Sequence, residues 1–228
     1  RSRMSRERNY SIDLLRIISM LMIVTNHFVS QGGLIDNVPD SSAAFFALEF
    51  ISIINYCAVN VFIMVSGYVG YTSGYRYSNI VSLWLTVEWY SVGFVLLEKI
   101  IHPESAVKWK TLLRAMLPVS FGKYWFFTVY FGAFFFFPVI KKAVEALNKK
   151  QAVSIVASAL ALFCFLPVIV NIDIFRTSNG YGVIWFSVLY FIGACIRKYE
   201  ASIRIKKWML CVLFWAGGLV TFASYLAL

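Results

Sequence analysis

Long unbroken runs of apolar residues, separated by short clusters of charge, are the dominant pattern along this chain. A soluble amphipathic helix repeats its apolar positions with a period of 3.6, whereas these blocks are apolar on every face. About 20 such residues carry an α-helix across hydrocarbon. The blocks therefore predict spans at about 11–31, 54–72, 79–101, 124–140, 151–171, 182–197 and 207–228. The expected fold class is all-α, a polytopic transmembrane helical bundle of about seven spans.

Smaller signals sit at the edges of the blocks. Ser11 is the expected N-cap of the first helix, with Asp13 in its first turn, where the helix dipole favours a carboxylate. The segment AAFFALEFISII either extends the second span or forms a separate interfacial helix. The stretch KWKTLLRAMLP predicts an amphipathic helix lying on the outer surface. No repeat, low-complexity tract or long linker divides the chain, so residues 1–228 are expected to be a single integral-membrane domain. The chain begins with Arg and stops inside the apolar run LVTFASYLAL, from which we expect a domain cut short at its C-terminus.

Composition supports the membrane reading. The chain is 60% hydrophobic and 14% charged, with a mean hydropathy of +0.73, whereas a soluble domain carries roughly 25% charged residues. The net charge of +10 does not point to nucleic acid, because the cations lie in short clusters between apolar blocks, as in loops that orient spans. With the N-terminus inside, the inner segments hold fourteen cations: Arg1, Arg3, Arg6, Arg8, Arg76, Lys141, Lys142, Lys149, Lys150, Arg197, Lys198, Arg204, Lys206 and Lys207. The outer loops hold six: Lys99, Lys108, Lys110, Arg114, Lys123 and Arg176. The first outer loop, GGLIDNVPDSS, is acidic. An N-in orientation follows, and the loop from 99 to 123 departs from the rule. The first block has no small-residue cleavage site after it and carries Arg16, so it reads as a retained span rather than a signal peptide. Cys57, Cys164, Cys195 and Cys211 lie in apolar blocks without metal-ligand spacing and read as small hydrophobes; no metal site is expected.

Ionisable residues inside the blocks are the candidates for chemistry. Eleven steps separate Arg16 from His27, which leaves them about 20° apart in azimuth and about 16 Å apart along a helix. Arg16, Met20, Ile23 and His27 thus line one face, and Asp13 can pair with Arg16 at i, i+3. The plainer alternative is that Arg16 snorkels to the inner headgroups and His27 caps the outer end. In VNVFIMVSGYVGY, Asn60, Ser66 and Gly67 interrupt a span, and packing explains them better than a nucleophilic Ser66, since the G-x-S-x-G context is absent. Glu88, in LTVEWYS, is a carboxylate near the middle of the third span and needs a partner or a proton. The aromatic stretch FGKYWFFTVYFGAFFFFPVIKK, which contains Trp125, reads as an anchor at an interface.

The order of YSIDLLRIISMLMIVTNH, VNVFIMVSGY, YWFFTVYF and LYFIGACIRKY resembles the acyltransferase family 3 membrane proteins. The R-x10-H spacing of that family is met by Arg16 and His27, and its FxxxSGY element by Phe62 to Tyr68. The likeness runs from about residue 9 to the end, and family members usually have about ten spans, so this chain resembles the N-terminal part of the domain. The resemblance implies transfer of an acyl group, usually acetyl, from cytosolic acyl-coenzyme A to a hydroxyl of an extracytoplasmic glycan. It implies no bound cofactor, with acetyl-CoA as donor substrate and membrane lipid and a glycan acceptor as partners. It implies a place in the cytoplasmic membrane of a bacterium. His27 and Arg16 would be catalytic, with Asp13, Asn60, Ser66, Tyr68, Arg76, Glu88 and Trp125 supporting or binding substrate. One departure stands out. Many members carry R-x-x-R in the inner loop after the second span, and here TSGYRYSNIVSLW holds Arg76 alone, so Lys141 and Lys142 become alternative cations for the donor. The competing reading is a transporter or export component in which Arg16, His27 and Glu88 form a polar path; the inverted repeats and paired broken helices common in transporters are not evident. A regulatory membrane domain is the third.

Overall fold

The computed structural model describes residues 9–104, 108–175, 177, 180–200 and 205–226. Arg1, Arg3, Arg6, Arg8, Arg176 and Arg204, used in the orientation argument, lie outside the described residues. Among those described, every regular element is helical and there is no strand. Five helical segments are long and apolar enough to cross a membrane, and a sixth is a bent pair of shorter helices. The block at 182–197, the sixth along the chain, forms α10 (Val183–Tyr199), whose 17 residues sit at the short end of the spanning range.

Helix α1 (Tyr10–Ser30) begins earlier than expected. Its N-cap is Asn9, not Ser11: the Asn9 Oδ1 accepts from the amides of Ser11 at 3.1 Å and Ile12 at 3.3 Å. Asn and Ser cap equally well, so the choice falls to the residue with extended backbone, and Asn9 has it. Asp13 does lie in the first turn. The segment before the second span is an extension of it: α2 (Ala43–Asn55) and α3 (Cys57–Thr72) are separated only by Tyr56, which keeps a right-handed helical conformation. Helix α4 (Tyr77–Ile101) follows, and the amphipathic stretch forms α5 (Trp109–Met116).

Two prolines determine where the later spans break. Helices α6 (Trp125–Phe134) and α7 (Phe137–Ala146) meet at a 52° bend. Pro138 stands in the first turn of α7; it has no N–H, and its ring would strike the carbonyl four residues back, which belongs to Phe134, the last residue of α6. The span expected at 124–140 is therefore two half-length helices. Helix α8 (Lys149–Leu160) opens on a capping box between Asn148 and Gln151. It passes through a π-helical turn at Ala161–Phe165 into α9 (Leu166–Val170), and Pro167 near the start of α9 accounts for that turn. Helix α11 (Lys207–Leu226) is the last element.

The helices form two compact units, the first holding residues up to Ser66 and from Tyr199 onward, the second Gly67–Lys198. In the first, α2 packs against both α1 and α11. Phe50 meets Phe222 edge to face at 5.2 Å, and Gly218 brings α11 against Ile54. In the second, Phe137 lies flat on Tyr190, with centroids 3.8 Å apart, inside a core of Phe127, Phe134, Phe186 and Leu189.

At one end of the second unit the C-termini of α7 and α10 and the residue just past α3 are tied by lysines. Lys198 Nζ donates to the carbonyls of Val144 at 2.9 Å, Glu145 at 3.0 Å and Leu147 at 2.6 Å. Lys141 Nζ donates to the Ser73 carbonyl at 3.0 Å. A helix leaves its last carbonyls unbonded and its C-terminus partly negative, so an ammonium there serves both needs. Lys141 and Lys198 are two of the cations that the loop argument assigned to one side. Replacing Lys198 with Met keeps the apolar stem and removes three bonds; we expect a loss of about 1.5–3 kcal/mol, read as a lower thermal midpoint in detergent, and an unchanged midpoint would refute the capping role.

Candidate functional site

Helix α1 is continuous from Tyr10 to Ser30, so the Arg16–His27 register expected from spacing is present in one rigid element. The packed stripe of α1 runs through Ile12, Arg16, Ser19, Ile23 and Asn26, with Ser19 fully buried. Arg16 is half-buried on that stripe, whereas His27 stands at its margin and is exposed. Arg16 forms no ion pair with Asp13, although both are half-buried on neighbouring turns; among the described residues the guanidinium has no hydrogen-bonding partner. The pairing expected at i, i+3 is thus not made. A long guanidinium can follow several directions from one backbone position, so spacing permits a pair without requiring it.

Three polar atoms in the first unit are buried and lack a hydrogen-bond partner among the described residues: Asn26 Oδ1, Ser52 Oγ and Asn55 Nδ2. Each such atom left unbonded costs about 1–3 kcal/mol. Sequence reading passed over all three, because a single Asn or Ser in an apolar run gives no signal of its own surroundings.

The SGY element on α3 divides into three roles. Ser66 Oγ donates to the Phe62 carbonyl at 3.0 Å, the usual bond of a helical serine to its own turn. Gly67 is a packing residue: a Cβ there would overlap the carbonyl oxygen of Tyr190, and one at Gly70 would overlap the Tyr190 hydroxyl. The two glycines let α10 come into backbone contact with α3. Tyr68 is the polar member. Its hydroxyl accepts from Arg197 Nη1 at 3.1 Å, and the same guanidinium stands 5.1 Å from the ring centroid. Asn60, half-buried on α3, also makes polar contact.

The remaining candidates lie in the second unit. Arg76 is exposed at the entry to α4. Beside it the Tyr75 hydroxyl is buried without a partner among the described residues, and desolvation, with Tyr77 close by, raises its pKa. Glu88 is half-buried on the packed stripe of α4 and has no ion pair or hydrogen bond among the described residues. One turn further on, the buried Ser91 Oγ accepts from Lys123 Nζ at 2.9 Å, a tie that sequence alone did not suggest. Trp125, at the start of α6, meets Tyr181 edge-on at 4.8 Å. Lys141, named above as an alternative donor cation, is already engaged at Ser73, while Lys142 is exposed. No group of three or more His, Cys, Asp or Glu that could hold a metal ion is found among the described residues.

Residues 9–228 match the sequence model of a family described as an acyltransferase domain, acyltransferase family 3. The chain belongs to that family. No curated protein and no solved structure matches it. This acyltransferase is an integral membrane protein, with its helical spans carrying the polar residues described above. Its SGY glycine can be tested directly. Gly67→Ala should lower stability by about 1–3 kcal/mol through overpacking, while Gly93→Ala on α4, with nothing within 4 Å of its Cβ, should leave the melting curve in place. Equal behaviour of the two variants would count against close α3–α10 approach as the reason for the motif.

Proposed function

We propose that the protein moves an acyl group, acetyl in the first instance, from cytosolic acyl-coenzyme A to a hydroxyl of an extracytoplasmic polysaccharide or other cell-surface glycan. The observation that carries this reading is the pair on α1, a guanidinium and an imidazole about 16 Å apart along one unbroken helix. A reaction with its donor on one side of a membrane and its acceptor on the other needs polar groups stepped along the bilayer normal. The pantetheine arm of coenzyme A holds its phosphates and its thioester apart by a distance of that order. Arg16 would hold a phosphate oxygen, for which a guanidinium free of ion pairing among the described residues is suited. His27 would take the proton from the sugar hydroxyl as its oxygen attacks the thioester carbonyl. The carbon–sulfur bond then breaks, and the departing thiolate receives the proton.

In this reading the N-terminus is cytoplasmic and the membrane is the cytoplasmic membrane of a bacterium. Arg76, Tyr68 and Lys142 then stand at the donor end, and Asp13 supports the entry of α1. Asn60, Ser66, Glu88 and Trp125 are supporting residues in this reading. Lipopolysaccharide, capsule and wall glycans all offer the hydroxyl required.

The test follows label from acetyl-coenzyme A into membrane glycan, in vesicles whose inner face is accessible. His27→Ala should lower transfer at least 10²-fold, the range of a lost general base, with membrane insertion intact. Arg16→Ala should raise the apparent KM for the donor. Wild-type transfer at an unchanged rate in the His27 variant would refute the assignment of the base. Absence of any label in wild type, across acceptors and acyl donors, would favour a transporter or export component instead.

A further inference from the structure

The hydroxyls of Ser19, Ser66, Ser187 and Thr221 each donate to the carbonyl four residues back on their own helix, the ordinary bond of a hydroxyl in an apolar helix. Ser52 on α2 is different. It is 5% exposed, and its Oγ has no partner among the described residues. Asn55, one turn on, is 8% exposed, and its Nδ2 is likewise unbonded among them. Residues three apart share one face of a helix, so two buried hydrogen-bond donors stand side by side. Phe50 and Ile54 mark the side of α2 that meets α11, at Phe222 and Gly218. Ser52 and Asn55 lie about 150° around the helix from that side. The other long helix packed on α2 is α1, whose packed stripe carries Arg16, Ser19 and Asn26.

We infer that Ser52 and Asn55 form an oxyanion site for acyl transfer; the inference deepens the acyltransferase reading above and rests on it. Helices α1 and α2 belong to consecutive spans, so α2 returns across the membrane in the opposite direction. Measured from the loop that joins them, Ser52 and Asn55 lie about 14 and 18 Å along α2, and His27 and Arg16 about 5 and 21 Å along α1. The donors thus fall between the guanidinium and the imidazole in depth. Side chains lean toward the N-terminus of their helix, so His27 leans toward that level. Attack of the sugar oxygen on the thioester carbon turns the carbonyl oxygen into an anion, to which the Ser52 O–H and an Asn55 N–H can each donate. When the carbon–sulfur bond breaks, the carbonyl re-forms and the charge leaves with the sulfur, which receives the proton held by His27. Neither donor gives up a proton. Donors fixed by packing, away from water, need not reorganise as the charge develops. Asn26 Oδ1, the third unbonded atom, is an acceptor and does not belong to the pair.

Deleting the donors separates this from a role in packing, because the two roles move stability and activity differently. Ser52→Ala and Asn55→Leu are each compared with wild type in native membrane vesicles, by label passed from acetyl-coenzyme A to glycan over a range of donor concentrations. Their thermal midpoints are read in detergent. Each substitution removes a buried polar atom that the fold leaves unbonded, so the midpoint should hold or rise. Transfer should fall about 10²-fold, with kcat and kcat/KM lowered together, as for a bond made only in the transition state. A midpoint lowered in both variants would assign the two atoms to structural bonds, such as those to a bridging water, and would overturn the inference. Wild-type kcat in either variant, with transfer still lost in His27→Ala, would overturn it too and leave the acyltransferase reading intact. A wild type that transfers no label would overturn that reading, and this inference with it.

Discussion

Hydrocarbon offers a peptide group nothing to bond except another peptide group, and the architecture follows from that constraint. It makes every regular element among the described residues a helix. It also makes the ends and breaks of helices the places where chemistry has to be supplied. Asn9 and Asn148 supply it at helix starts with side-chain oxygens. Lys141 and Lys198 supply it just past helix ends with ammonium groups. Where Pro138 removes an amide, the span divides and turns by 52° rather than leave the chain in an unbonded helix.

Under the same constraint, each polar atom kept inside a span is informative. Ser66 and Ser19 satisfy their hydroxyls on their own helices, at Phe62 and Leu15, and read as structural. Arg16 and Glu88 have no such local partner among the described residues, and neither do the buried atoms of Asn26, Ser52 and Asn55. In the proposed reading, groups of this kind are the ones available to a polar donor or acceptor.

Much of the fold was legible in the sequence because hydrocarbon length is a strong and simple filter. All seven apolar blocks return as helical segments, and α5 forms where an amphipathic stretch was read. The misses are local and have physical causes. Asn9 and Ser11 compete as caps within one turn, and only backbone conformation decides between them. The block at 124–140 was read as one span, whereas Pro138 in the first turn of α7 divides it into two helices. The register of Arg16 and His27 was legible because it is internal to one helix. The Arg197–Tyr68 and Lys123–Ser91 contacts were not, since residues 129 and 32 positions apart meet only through tertiary packing.

The central claim is that the imidazole works from one position around α1, in register with Arg16. The most direct measurement exchanges neighbouring residues, Asn26→His together with His27→Asn, and follows acyl transfer from coenzyme A to membrane glycan. Composition, charge and helix length are unchanged, while the imidazole moves about 100° around the helix. The account predicts transfer reduced to the level of His27→Ala, with normal amounts of protein in the membrane. Transfer at the wild-type rate would contradict it, because the position of the imidazole on α1 would then not matter.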